Sequence, residues 1–137
     1  MRRILPPFLL VAALIGIAVA GWWLKRPADA IPVACANPVA GCRFSHRGTE
    51  ALLRFSAAPA AMEAFRIEVQ APDADRASAE FQMVGMDMGF NRYDLKRAGA
   101  DKLVAQVTLP VCVSGRRDWT LYLELDGARY AIPFSTH

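Results

Sequence analysis

The segment Met83-Val84-Gly85-Met86-Asp87-Met88-Gly89 holds three of the chain's five methionines. Thioethers are soft donors, and in an oxidising compartment a Met-x-Met pair suits Cu(I). Met86 and Met88 share a face of extended backbone, and the glycines beside them let the chain bend and bring side chains together. For these two, metal contact and apolar packing are equally good readings. Met83 continues the apolar face of a strand, which favours core packing over ligation. Cys112, in Leu109-Pro110-Val111-Cys112-Val113-Ser114-Gly115-Arg116, is a third soft donor. Val111 and Val113 keep the core parity of the preceding strand, so Cys112 is expected to face the other way unless Pro110 resets the phase. An outward cysteine beside a loop is a reactive thiol or a ligand; the other reading is a small buried hydrophobe.

The remaining candidates are fewer. Cys35 and Cys42 stand close in sequence with Pro38 and Gly41 between them to help a turn. Three cysteines in an exported domain leave one over; a Cys35–Cys42 bridge with Cys112 free is the simplest arithmetic, and pairings of Cys112 stay open. His46, a lone histidine before a glycine, reads as a surface residue before it reads as a ligand. Arg116, Arg117 and Asp118 look like a charged turn, and Asp94, Lys96 and Arg97 like a solvated face. There is no nucleophile elbow, HExxH, P-loop or CxxC, and two histidines supply no acid–base set, so an enzyme is not expected.

These residues must be positioned by two kinds of element. Residues 4–24 are apolar throughout, bracketed by Arg2-Arg3 and Lys25-Arg26. As a helix they reach roughly 31 Å, close to the thickness of a bilayer core. Pro6 and Pro7 fall in the first turn, and Trp22 and Trp23 sit where indole rings favour the interface. The flanking charges nearly tie, but the extreme N-terminal position resembles an export signal. The bulky Trp22, Trp23 and Leu24 after Ala18-Val19-Ala20 favour an uncleaved anchor over a removed signal. The rest of the chain is then outside the cytoplasm. Four of the 16 Lys+Arg flank this segment and one of the 13 Asp+Glu precedes Ile31, so the exported part is formally neutral. That argues against a nucleic acid partner.

Residues 25–40, with Pro27, Pro32 and Pro38, read as a linker and not as a core element. From residue 50 the apolar residues alternate. Strands are expected over 51–55, 64–69, 77–83, 103–109, 119–125 and 130–134, with a hairpin turn at Asp126-Gly127 and an edge position for Pro133. Residues 57–64 form a loop interrupted by Pro59. The expected fold is all-β: an immunoglobulin-like antiparallel sandwich of about seven strands preceded by one N-terminal transmembrane helix. The organisation is an anchor over 1–26, a linker and cysteine loop over 27–42, and a β domain over 43–137.

The blocks FQMVGMDMGFNRYDL and VTLPVCVSGRRDW, followed by a closing hairpin ending YAIPF, resemble the small membrane-anchored proteins of the FixH and YtkA-like type. The similarity covers most of residues 35–135. It implies a single-pass protein of the bacterial inner membrane, its β domain in the periplasm. It also implies a role in copper supply to haem–copper oxidases, with a Sco-type copper protein or an oxidase subunit as partner. Carried onto this chain, it makes Met86, Met88 and Cys112 the Cu(I) positions, with Met83 a weaker addition. The rival reading is a metal-free interaction domain docking a membrane enzyme, for which Met86, Met88 and Phe90 are contact residues, with Arg92 beside them.

Overall fold

The computed structural model describes residues 5–25, 29–86 and 91–137. Helix α1 (Leu5–Leu24) runs 20 residues, and its side chains from Phe8 onward are exposed apart from the half-buried Gly21. Among the described residues no helix is long and apolar enough to cross a membrane.

Nine strands follow: β1 (Ile31–Pro32), β2 (Cys42–His46), β3 (Thr49–Phe55), β4 (Ala64–Gln70), β5 (Ala77–Met83), β6 (Arg92–Arg97), β7 (Lys102–Thr108), β8 (Asp118–Leu125) and β9 (Ala128–Ser135). They form one mixed sheet in the order β1-β9-β8-β5-β6-β7-β4-β3-β2, antiparallel except where β1 lies parallel to β9. Alternation dictates the faces. In β8, Trp119, Leu121, Leu123 and Leu125 are buried; in β9, Tyr130, Ile132 and Phe134 are. The turn between them carries φ of +45° at Asp126 and +89° at Gly127, the left-handed pair that a two-residue hairpin needs.

The strand β6 makes the sheet curl. Its Arg92–Leu95 half pairs with β5, while Lys96 and Arg97 pair with β7, so one strand passes from one half of the sheet to the other. The halves then face each other across an aromatic core. The Phe55 and Phe134 rings are 5.4 Å apart and those of Phe65 and Phe81 6.2 Å, both edge-on, the favoured arrangement of ring quadrupoles. The seam between β2 and the β1–β9 edge is closed by the Cys35–Cys42 disulfide, the Phe44–Tyr130 ring pair at 4.7 Å, a 2.9 Å hydrogen bond between His46 Nδ1 and the Tyr130 hydroxyl, and the donation of that hydroxyl to the Ser45 carbonyl.

Several expectations change. Among the described residues the strand count is nine, not about seven: β1, β2 and β6 are additional. Residues read as linker contribute β1, and Val33 enters the core while its N–H bonds Ala131. Asp94, Lys96 and Arg97 lie on β6 and are exposed, in keeping with the solvated-face reading. Pro133 does sit on an uncovered edge, since β1 pairs only with Tyr130 and Ala131.

Candidate functional site

The strand directions sort the loops to two ends. Cys42, Phe55, Ala64, Met83, Thr108, Asp118 and Ser135 all mark one end, which we call the rim. The disulfide loop, the 56–63 loop, the methionine turn and the Cys112 loop lie there. At the opposite end are the β2–β3 and β8–β9 turns, and β1 begins there beside Tyr130.

Leu109 is fully buried, but β7 has already ended at Thr108 and Pro110 carries no N–H to prolong the ladder. The phase is reset. Val111 is exposed and Val113 is 100% exposed, against the expected core parity, while Cys112 is half-buried and packs against the core. Cys112 Sγ lies 2.8 Å from Ser114 Oγ, and the Gly115 N–H bonds the Cys112 carbonyl. The Ser114 hydroxyl, donating to the thiolate, pulls the thiol below its ordinary value of 9.0; the Ser114 and Arg116 backbone N–H groups and the Arg116 charge act the same way, against partial burial. Arg116 is held in turn by Asp118, Nε to Oδ1 at 3.0 Å and Nη2 to Oδ2 at 2.8 Å. This bidentate pair keeps the guanidinium charged and the Asp118 carboxyl below its usual range. A cavity of about 190 Å³ beside Cys112 is lined by Ala61, Leu109, Arg116, Trp119 and His137, among others.

The methionine turn adjoins this loop. The Met86 N–H bonds the Met83 carbonyl at 3.2 Å around Gly85, whose φ of +77° suits glycine. The Val84 N–H reaches the Asp118 carbonyl, and a Cβ placed on Gly85 would stand 3.6 Å from Arg116 Nη1. Met86 is 39% exposed at the rim. Met83 is 2% exposed in the core, opposite Trp119, so its thioether is closed to a surface ligand and the weaker addition to the copper set is removed. Met88 and Phe90 lie outside the described residues. Arg92, offered as a partner contact, stands on the outer face of β6, where Nη2 is 3.8 Å from Glu124 Oε2. The Cys35–Cys42 pairing is observed, with Cα atoms 5.3 Å apart and Cys112 free.

His46 corrects its surface reading. It is 2% exposed, because Tyr130, 84 residues away in sequence, covers it. The Tyr130 hydroxyl donates to the Ser45 carbonyl at 3.3 Å, which assigns the hydrogen of the shared 2.9 Å bond to His46 Nδ1. Nε2 has no hydrogen-bond partner and stands 4.0 Å from Asp126 Oδ2. Burial raises the Tyr130 hydroxyl. Asp126 caps the neighbouring loop, accepting the Arg76 N–H at 2.9 Å and the Asp75 N–H at 3.1 Å. The cluster is a satisfied structural network except at Nε2, and it lies at the end away from the sulfur donors.

Sequence spacing missed Met62. It sits on the 56–63 loop, 67% exposed, and its N–H bonds the Leu109 carbonyl at 2.9 Å. Nothing in the local sequence signals this contact, which joins residues 47 apart. Among the described residues no three His, Cys, Asp or Glu side chains gather as a metal group. In comparisons with known proteins, no family model matches the chain, and no curated protein or solved structure matches it.

Proposed function

We propose that this chain is a membrane-tethered periplasmic accessory protein that carries Cu(I) on the sulfur donors of its rim and delivers it during haem–copper oxidase assembly. The observation that carries this reading is Cys112: a half-buried thiol drawn toward thiolate by Ser114 and Arg116, on a loop whose Arg116 lies against Gly85 of the methionine turn. Thiolate and thioether together form the donor set that selects cuprous copper over harder cations. Met86 and Met88 are the thioether partners. Copper here is cargo, so an open, incompletely ligated position suits transfer by ligand exchange with the soft donors of a partner such as a Sco-type protein.

The tether is part of the proposal. What supports it is the sequence: residues 4–24 are apolar throughout and would reach roughly 31 Å as a helix, and a helix apolar on all sides with exposed side chains belongs in lipid or in another protein. The curled sheet with its two facing halves is read as an immunoglobulin-like sandwich, and the two sequence blocks as a FixH-like resemblance. Carrier, not catalyst, is the role the rim supports.

A second reading rests on a different observation. Among the described residues of the domain, the exposed large apolar ones other than Ile31 gather at the rim: Val39, Met62, Val84, Met86, Val111 and Val113. Such a surface suits a metal-free dock for a membrane enzyme. Cu(I) titration of the full chain in detergent separates the two. The carrier reading expects one tight equivalent that weakens in a Met86→Leu, Met88→Leu double variant. The docking reading expects no such site and no effect of chelators.

A further inference from the structure

We infer that Met62 is a fourth sulfur donor to the copper site, beside Cys112, Met86 and Met88, supplied by the 56–63 loop that is bonded to Leu109. This rests on the carrier reading above and deepens it. The Cys112 loop is clamped from two directions. On one side, Arg116 lies against Gly85 and Val84 bonds Asp118, which brings the Met86 turn alongside. On the other, Ala61 bridges Leu109, the Met62 N–H bonds the Leu109 carbonyl, and Ala61 lines the same cavity as Cys112. Met62 is thereby fixed next to the residue that leads into Pro110-Val111-Cys112.

The choice of residue at this position is informative. Met62 holds φ at +62°, a left-handed conformation that glycine or asparagine would adopt more easily. Its side chain is exposed, so core packing does not hold a methionine there. Among the described residues, the sulfur atoms outside both the core and the disulfide belong to Met62, Met86 and Cys112, and they come from three neighbouring loops of one rim. Cu(I) accepts two to four soft ligands, and methionine's three rotatable bonds let an exposed thioether swing to a neighbouring loop.

The test is a Cu(I) competition titration of the full chain in detergent, with a chromophoric cuprous chelator as competitor, on wild type, Met62→Leu, Met62→Gly and Cys112→Ser. Loss of an outer-shell partner already lowers metal affinity roughly tenfold or more, so Met62→Leu is expected to weaken binding by at least about tenfold. Met62→Gly is expected to weaken it equally while leaving the thermal midpoint unchanged or raised, because glycine relaxes the backbone. X-ray absorption at the copper edge should lose one sulfur scatterer in both. If Cys112→Ser abolishes binding but both Met62 variants bind as wild type does, the Met62 assignment is wrong and the carrier reading stands. If Cys112→Ser leaves binding unchanged, or wild type binds nothing, both go.

Discussion

Cys35 and Cys42, seven residues apart, join strands at opposite ends of a nine-strand order: Cys35 follows β1 and Cys42 opens β2. The bridge therefore closes the seam of the curled sheet and not merely a local turn. By the chain-entropy relation a loop of this length contributes about 2.5 kcal/mol. A Cys35→Ser, Cys42→Ser variant is expected to lose that much in urea unfolding, with the slope changed little. An unchanged midpoint would show that the Phe44–Tyr130 and His46–Tyr130 contacts close the seam alone.

Asp126 gives the fold an acid limit. The Arg76 N–H first, then the Asp75 N–H and the Arg47 and His46 charges, hold its carboxyl below the ordinary range in the folded chain. Because the folded value is depressed, its stabilisation is complete above the unfolded value near 3.9 and disappears as pH falls through the folded value. Stability should thus be flat in pH from this group at 5–7 and fall below about pH 4. Asp126→Asn keeps the left-handed turn accessible but gives up the charged acceptor. It is expected to cost about 2 kcal/mol at pH 7 and to flatten the acid limb. Parallel acid limbs for variant and wild type would contradict this.

Tyr130→Phe removes the hydroxyl that His46 Nδ1 meets inside the seam. A buried polar group left without a partner costs about 1–3 kcal/mol, so the variant should unfold earlier by that amount, measured by chemical denaturation. A loss below about 0.5 kcal/mol would mean that water takes over the bond.

The Cys112 thiol should alkylate with a pH midpoint below the ordinary 9.0, because Ser114 and Arg116 favour the thiolate. Ser114→Ala is expected to move the midpoint upward, and Arg116→Ala to move it less, following the order of the causes. The iodoacetamide rate against pH measures both. An unmoved midpoint in Ser114→Ala removes the hydroxyl from the account.

The legible parts of the fold are those where burial follows local alternation. The β8–β9 hairpin could be read because every second residue is apolar and Asp126-Gly127 marks the turn. Strand β6 could not: Leu95 alone is buried among six residues, since the strand changes partners midway and packs little of its own surface. The β2 pattern was hidden because His46 is buried by a residue distant in sequence. At the rim, Cys112 was visible as chemistry, but its orientation depended on Pro110 ending the ladder. Met62 depended on a backbone bond to Leu109 that no spacing rule encodes.

Protection of Cys112 from alkylation by stoichiometric Cu(I), measured on the full chain under anaerobic conditions, addresses the carrier claim most directly. One equivalent of Cu(I) should suppress labelling of Cys112 almost completely, and a cuprous chelator should restore it. A labelling rate indifferent to copper would contradict the claim that this thiol is a ligand.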